Sequence, residues 1–443
     1  MSDNIDNKTS AHVDLNRSMS ASNDTVNRMK WLTYMMFFIF AMTSDAVGVI
    51  IPHLVTEYGL THTQASAFHY APMIFIALSG LLLGHLADKL GRKVTICIGL
   101  LLFSLASFSF SLTNEFLVFV SLLSVVGVAI GMFKTGAIGL IGDISKDSEE
   151  HTETMNRVEG FFGIGAMVGP AIVSYLLIQG MSWKYLYVCA AVLCFMLCLV
   201  TYLTVFPKSS GAHDTAEVPA RPSTSDNSEQ NEIVEERINL KQTFAMMKDK
   251  YALGFSLAVA LYVAVEVAIY VWMPSLFVDY DGNYIWMATY AITIFFALRA
   301  AGRFLGAWML SFCSWEVVLL VATGLVAVCY LVAMVFGIHA AIWALPASGL
   351  FMSVIYPTLN SKGISCFPRS HHGAVAGVIL FFTAAAAAIG PLVMGVISDS
   401  FGEIKYGFYL ATGFSVLLFV FAAYNLISKP ADAVLAKDFS ADE

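Results

Sequence analysis

Four ionisable side chains stand inside long apolar stretches: Asp45 in Thr43-Ser44-Asp45-Ala46-Val47-Gly48, Lys134 in Gly131-Met132-Phe133-Lys134-Thr135-Gly136, Glu266 and Arg299. In hydrocarbon such groups are costly, so they pair with one another or face a watery cavity. Glu266 and Arg299 fall at similar depth on consecutive stretches. Burial favours the neutral form of a carboxylic acid and a neighbouring cation favours its ionised form. The two are therefore either a permanent structural pair or a proton-carrying site. Asp45 has no obvious cation at its own depth. Lys134 lies about two helical turns nearer one membrane face and meets Asp45 only if both side chains extend. That makes Asp45 the first candidate for reversible protonation, with Glu266 the second.

These residues require membrane-spanning helices to hold them. Of 443 residues, 58% are hydrophobic and 13% charged, with mean hydropathy +0.73; a soluble domain carries about a quarter charged residues. The charges collect in loops and tails, leaving apolar runs long enough as helices to cross a core of roughly 30 Å. A closed β-barrel needs alternating segments, and the run 190–200 does not alternate. The fold class expected is an all-α membrane protein with twelve transmembrane helices in two six-helix bundles. The spans are placed at 31–53, 67–86, 94–113, 115–142, 156–179 and 184–206, then 252–278, 284–310, 315–336, 340–361, 371–397 and 404–427. Residues 1–30 read as a disordered cytoplasmic tail, 31–206 as the first bundle, 207–251 as a polar cytoplasmic linker, 252–427 as the second bundle and 428–443 as a cytoplasmic tail. Lys and Arg gather on one side (Arg28, Lys30, Lys89, Arg92, Lys93, Lys146, Lys208, Lys248, Lys250, Lys362, Arg369 and Lys429), against Lys184 and Lys405 on the other. The positive-inside rule then puts both termini in the cytoplasm. The net charge of −8 comes mostly from tails and linker and says little about partners. Seven cysteines have no acidic or histidine neighbours at metal-ligand spacing and read as packing thiols. No nucleophile elbow or phosphate-cradling loop is present, so neither an enzyme, a cofactor, a metal nor a nucleic-acid partner is expected.

Between the second and third spans runs Gly84-His85-Leu86-Ala87-Asp88-Lys89-Leu90-Gly91-Arg92-Lys93. Its glycines permit a tight turn, and its charges hold it at a membrane face. This string resembles the loop between helices 2 and 3 of the major facilitator superfamily. Helix 5 carries Gly165-Ala166-Met167-Val168-Gly169-Pro170 and helix 11 carries Ala387-Ala388-Ile389-Gly390-Pro391 followed by Gly395. Gly-Pro in the fifth span of each half marks an internal repeat; small residues let helices approach and proline bends them. Within the superfamily, Arg157-Val158-Glu159-Gly160-Phe161-Phe162-Gly163-Ile164-Gly165-Ala166, and Glu266 followed by Trp272 and Pro274, resemble the fucose/glucose–proton symporter group. Lys134 departs from that group, where an acid occupies a comparable region, and a buried cation suits an anionic solute. Gly165-x-x-x-Gly169-Pro170 also resembles part of the drug-antiporter signature, without the paired glycines after the proline.

The resemblance implies secondary active transport of a small solute by alternating access, with proton (or sodium) coupling, in a multi-pass protein of the cell inner membrane. Symport of a sugar-like or organic-anion solute is the first expectation. Proton-driven efflux of drugs or metabolites is the second, and a non-transporting receptor or scaffold the third. A monomer in the lipid bilayer is expected. Cavity candidates are Lys134, Arg299, His69, Tyr70, Tyr270, Trp272, Tyr356 and Asn360, although most aromatics in membrane helices only pack or anchor. Gly84, Asp88, Gly91, Arg92, Lys93, Arg157, Glu159 and Arg303 are candidates for a cytoplasmic gate. His53 and His62 read as solvated histidines near the outer surface.

Overall fold

The computed structural model describes residues 3–83, 90–145, 148–206, 246–368 and 371–435, and no strand occurs among them. Gly84 and Asp88, and the polar linker over 207–245, lie outside the described residues. Eleven described helices are long and apolar enough to cross a membrane. The expected second span appears as Ala67–Leu83, 17 residues up to the edge of the described chain.

The first span is split into α1 (Asp3–Ser44) and α2 (Val47–Tyr58). α1 begins within the segment expected to be a disordered tail, so the helix of the apolar run continues upstream. A short turn, α3 (His62–Ala65), precedes α4 (Ala67–Leu83), α5 (Arg92–Ser109), α6 (Phe116–Ile144), α7 (Ser148–Ile178) and α8 (Lys184–Leu203). The second half starts with α9 (Lys250–Val267), a π-helical stretch over Ala268–Trp272, and α10 (Met273–Leu276). It continues with α11 (Ile285–Thr289), α12 (Ala291–Leu310), α13 (Trp315–Phe336), α14 (Ile338–Met352), α15 (Ile355–Ser365), α16 (His372–Phe401) and α17 (Lys405–Ser428). A last short turn is α18 (Asp432–Leu435).

Local chemistry sets the boundaries. Asp249 caps α9 by accepting from the Tyr251 and Ala252 amides, 2.7 and 3.1 Å, donors that a helix start leaves unpaired. Gly59 ends α2 in the left-handed conformation. Gly91 enters α5 with φ +85°, the conformational freedom expected of that turn.

Packing repeats between the halves. In the first, α1 packs on α7, α4 on α6, and α5 on both α6 and α8; in the second, α9 packs on α16, α12 on α14, and α13 on both α14 and α17. Each half thus uses the same pairing of its first with its fifth span, second with fourth, and third with fourth and sixth. A β-carbon at Gly165 or Gly169 would collide with the carbonyl oxygen of Phe38 or Met42. The Gly-x-x-x-Gly of α7 is thus the surface on which α1 rests. The halves meet through α4 against α16, α7 against α12, and α2 against the π stretch and α10.

Candidate functional site

The two carboxylates in the membrane sit at equivalent breaks in equivalent spans. Asp45 lies in the turn separating α1 from α2, and Glu266 next to last in α9, just before the π stretch. The first break follows Thr43, whose hydroxyl donates back to the Ile39 and Phe40 carbonyls, 3.1 and 3.0 Å, a pattern that bends helices. The second precedes Pro274, which has no N–H to give the Tyr270 carbonyl four residues back. Gly48 packs directly on that carbonyl: any β-carbon at 48 would strike it. π segments inside α-helices are frequent at functional sites.

Asp45 is 8% exposed and Glu266 7%. Arg299, on α12, places Nη1 2.6 Å from Glu266 Oε1, so the two residues at matching depth on consecutive spans are an ion pair. Buried Tyr262 and Tyr330 stand close to Glu266, and the Tyr330 hydroxyl donates to the Val265 carbonyl, 2.6 Å. Asp45 has neighbours the sequence does not show. Arg299 and Glu266, from the opposite half, act on it through space, as does Ser44, the residue before it in the chain. Its Oδ2 is buried with no hydrogen-bond partner. Span order places Asp45 far from Arg299, but the break in the first span turns it to the other half.

His69 completes this buried layer. It is 1% exposed, neither ring nitrogen is hydrogen-bonded, and its ring meets Tyr270 edge-on at 5.7 Å. The ring faces the Ala387 backbone across the seam. Tyr70 is half-buried beside it. Trp272 is fully buried and donates its indole N–H to the Pro391 carbonyl, 3.1 Å, so its polar atom is committed to packing.

Lys134 belongs to a second, more open layer. No ion pair forms between it and Asp45. Its Nζ lies over the rings of Phe37 and Phe40, 5.5 and 5.4 Å from their centroids, and Glu159 is the acid that acts on it. Glu159 is exposed, yet also acts on Tyr356 of the second half. An exposed acid within reach of both halves stands where the seam between them opens to solvent. Tyr356 and Asn360 are half-buried, with the Tyr356 ring 6.2 Å from that of Tyr262. Arg303 is exposed.

The remaining gate candidates scatter. Arg92 Nε contacts Asp143 Oδ2 at 3.3 Å, Arg157 Nη2 contacts Glu153 Oε1 at 2.5 Å on the same helix, and Lys93 lies over Tyr202 and Phe206. Each of these contacts joins residues within the first half. One cluster leaves almost no mark in the sequence. Asp399 of α16 accepts from the His62 and Thr63 amides, both 2.8 Å, and from Thr63 Oγ1, 2.6 Å, while His62 Nδ1 lies 2.9 Å from it. His62 is therefore bound rather than merely solvated. Gly395-x-x-x-Asp399, one helical turn on one face, is the only trace of this in the sequence.

The Major Facilitator Superfamily profile matches residues 33–386. Over 155 residues the chain is 30% identical to the quinolone resistance protein NorA of Staphylococcus aureus, a match spanning 34% of this chain and 39% of NorA. It is 23% identical over 434 residues to the L-fucose-proton symporter of Escherichia coli K12, covering 88% of this chain and 91% of the symporter. Among solved structures, a bacterial homolog of the human lysosomal transporter Spinster, in an inward-facing and unoccupied conformation, superposes with TM-score 0.68 at 14% identity, covering 94% of this chain and 97% of that one. With the helix pairing repeated in both halves and charges gathered at the seam between them, the chain belongs to the Major Facilitator Superfamily of membrane transporters.

Proposed function

We propose that the protein is a proton-coupled symporter of the cell inner membrane, moving a small sugar-like or organic-anion solute by alternating access, with Asp45 as the proton carrier. One observation carries this reading: of the two buried carboxylates at the helix breaks, Glu266 is ion-paired with Arg299, while Asp45 forms no ion pair among the described residues and keeps Oδ2 buried without a hydrogen-bond partner. A buried carboxylate without a cation of its own binds a proton most readily, and a solute or proton arriving at the seam changes its surroundings most. Lys134, held by two aromatic faces beside the open cleft, is the cation available to an anionic group on the solute. His69, Tyr70, Tyr270, Tyr356 and Asn360 supply hydrogen bonds or stacking surfaces around it. Both termini are cytoplasmic in this reading, by the distribution of Lys and Arg.

The test is uptake into proteoliposomes carrying the Asp45→Asn variant, after a thermal-shift screen has found a stabilising solute. The expected result is loss of proton-gradient-driven accumulation with solute exchange retained; full pH-dependent accumulation removes Asp45 from the mechanism. Driving the same vesicles with a sodium gradient separates the two coupling ions. Export is the second reading, favoured by the NorA match, and solute extrusion under an inward proton gradient would select it.

A further inference from the structure

The Asp399 cluster joins the two halves at the end of the molecule away from the open cleft. Asp399 lies near the end of α16, in the second half; His62 and Thr63 form the first turn of α3, between the first two spans. Thr61 caps that turn, its side chain accepting from the Gln64 amide at 3.2 Å while Gln64 Oε1 accepts from the Thr61 amide at 3.0 Å. The cap leaves the His62 and Thr63 amides without a local acceptor, and the Asp399 carboxylate takes both, together with the Thr63 hydroxyl. The imidazole closes the set, Nδ1–H being the donor tautomer a carboxylate requires. One turn earlier on the same helix face, Gly395 lets the turn seat. A β-carbon there would stand 3.0 Å from the His62 carbonyl carbon and oxygen and 3.1 Å from the Thr63 nitrogen. Further contacts line the same seam, Ser174 Oγ to the Thr289 carbonyl at 2.9 Å and Thr293 Oγ1 to the Met167 carbonyl at 3.5 Å.

We propose that Asp399, seated by Gly395, is the latch of the gate opposite the open cleft: it holds the halves together there by capping a turn of the other half, and lets go when that side opens. Three features suit a latch. Charge-assisted hydrogen bonds to one carboxylate are strong and directional. The carboxylate side chain remains 24% exposed and that of His62 26%, so water reaches the cluster. On opening, water replaces the carboxylate at both amides and the amides at the carboxylate, which keeps the exchange reversible. A cavity of about 410 Å³ begins at His62 and continues past Asp279, Glu403 and Lys405, the space through which that water arrives.

Amide hydrogen exchange on the full chain in lipid nanodiscs tests this, comparing wild type with Asp399→Asn, Gly395→Ala and Thr63→Val. Two regions are read: residues 61–70, and the seam elements at 167–176 and 285–293, which Asp399 does not touch. The expected result is exchange roughly tenfold faster in both regions for Asp399→Asn, the population shift produced by losing one charge-assisted bond, and a smaller rise in both for the other two variants. Faster exchange confined to 61–70 overturns the proposal, because Asp399 is then only a cap for the turn; unchanged exchange everywhere overturns it as well. Should Asp399→Asn fail to fold, Gly395→Ala, which keeps every polar group, decides the matter by the same two readings. The measurement follows the seam rather than flux, so its outcome is separate from the identity of solute or coupling ion.

Discussion

Removing Arg299 from its pair with Glu266 strands the carboxylate among Tyr262, Tyr330 and Tyr270. Breaking a buried pair this way costs about 3–5 kcal/mol, whereas replacing both members by neutral groups is often nearly neutral. Arg299→Met is therefore expected to lower the unfolding midpoint sharply, and Glu266→Gln combined with Arg299→Met to recover most of the loss. Recovery is read by thermal unfolding in detergent; equal damage in the single and double variants would mean the pair contributes no coupling. This pair was legible in the sequence because depth alone suffices when two residues occupy consecutive spans. The approach of Asp45 to the same arginine was not, because it depends on the break after Ser44 and on the meeting of two halves distant in sequence. The bonding of His62 is hidden in the sequence for the same reason: its acceptor lies 337 residues away.

At the scale of helices, close backbone approach decides which glycines matter. Gly169 faces the Met42 carbonyl directly, whereas Gly163, six residues earlier on the same helix, has nothing within 4 Å of where its β-carbon would be. Gly169→Ala is expected to push α1 from α7 and cost about 1–3 kcal/mol through overpacking. Gly163→Ala should be neutral or stabilise by up to about 1 kcal/mol, since alanine favours helix. Thermal midpoints of the two variants check the contrast, and similar losses in both would show that helicity rather than contact sets the requirement. The Gly-x-x-x-Gly-Pro string, which resembles part of the drug-antiporter signature, thus has a packing role here that is independent of transport direction. The repeat of Gly-Pro in the two halves was readable because both lie in the fifth span of their half. The π stretch over Ala268–Trp272 was not, since Pro274 announces a lost hydrogen bond without saying how the helix absorbs it.

For the whole molecule, the distribution of exposure defines the state it occupies. Asp45, Glu266 and His69 are buried where α2, α4 and α7 meet the second half, and hydrogen bonds cross the seam from Ser174 and Thr293 and at the Asp399 cluster. Glu159 and Arg303 are exposed, and Glu159 reaches both Lys134 and Tyr356 across a cleft. A bound solute exposed alternately to the two sides requires the buried layer to open when this cleft shuts. In the orientation proposed from the bias of Lys and Arg, the cleft side faces the cytoplasm. Single cysteines at 159 and 303, in a background whose seven native cysteines are replaced and whose transport is retained, are then expected to react with a membrane-impermeant maleimide in inside-out vesicles. A cysteine at 174 should be protected from either side until the seam opens. A solute that stabilises the opposite state must slow the first two in proportion to the cleft-open fraction and speed the third in proportion to the complementary fraction, because one equilibrium governs all three positions. Labelling of 159 and 303 in right-side-out vesicles would invert the topology. Changes at 159 without a matching change at 174 would show that the two sides of the seam move independently.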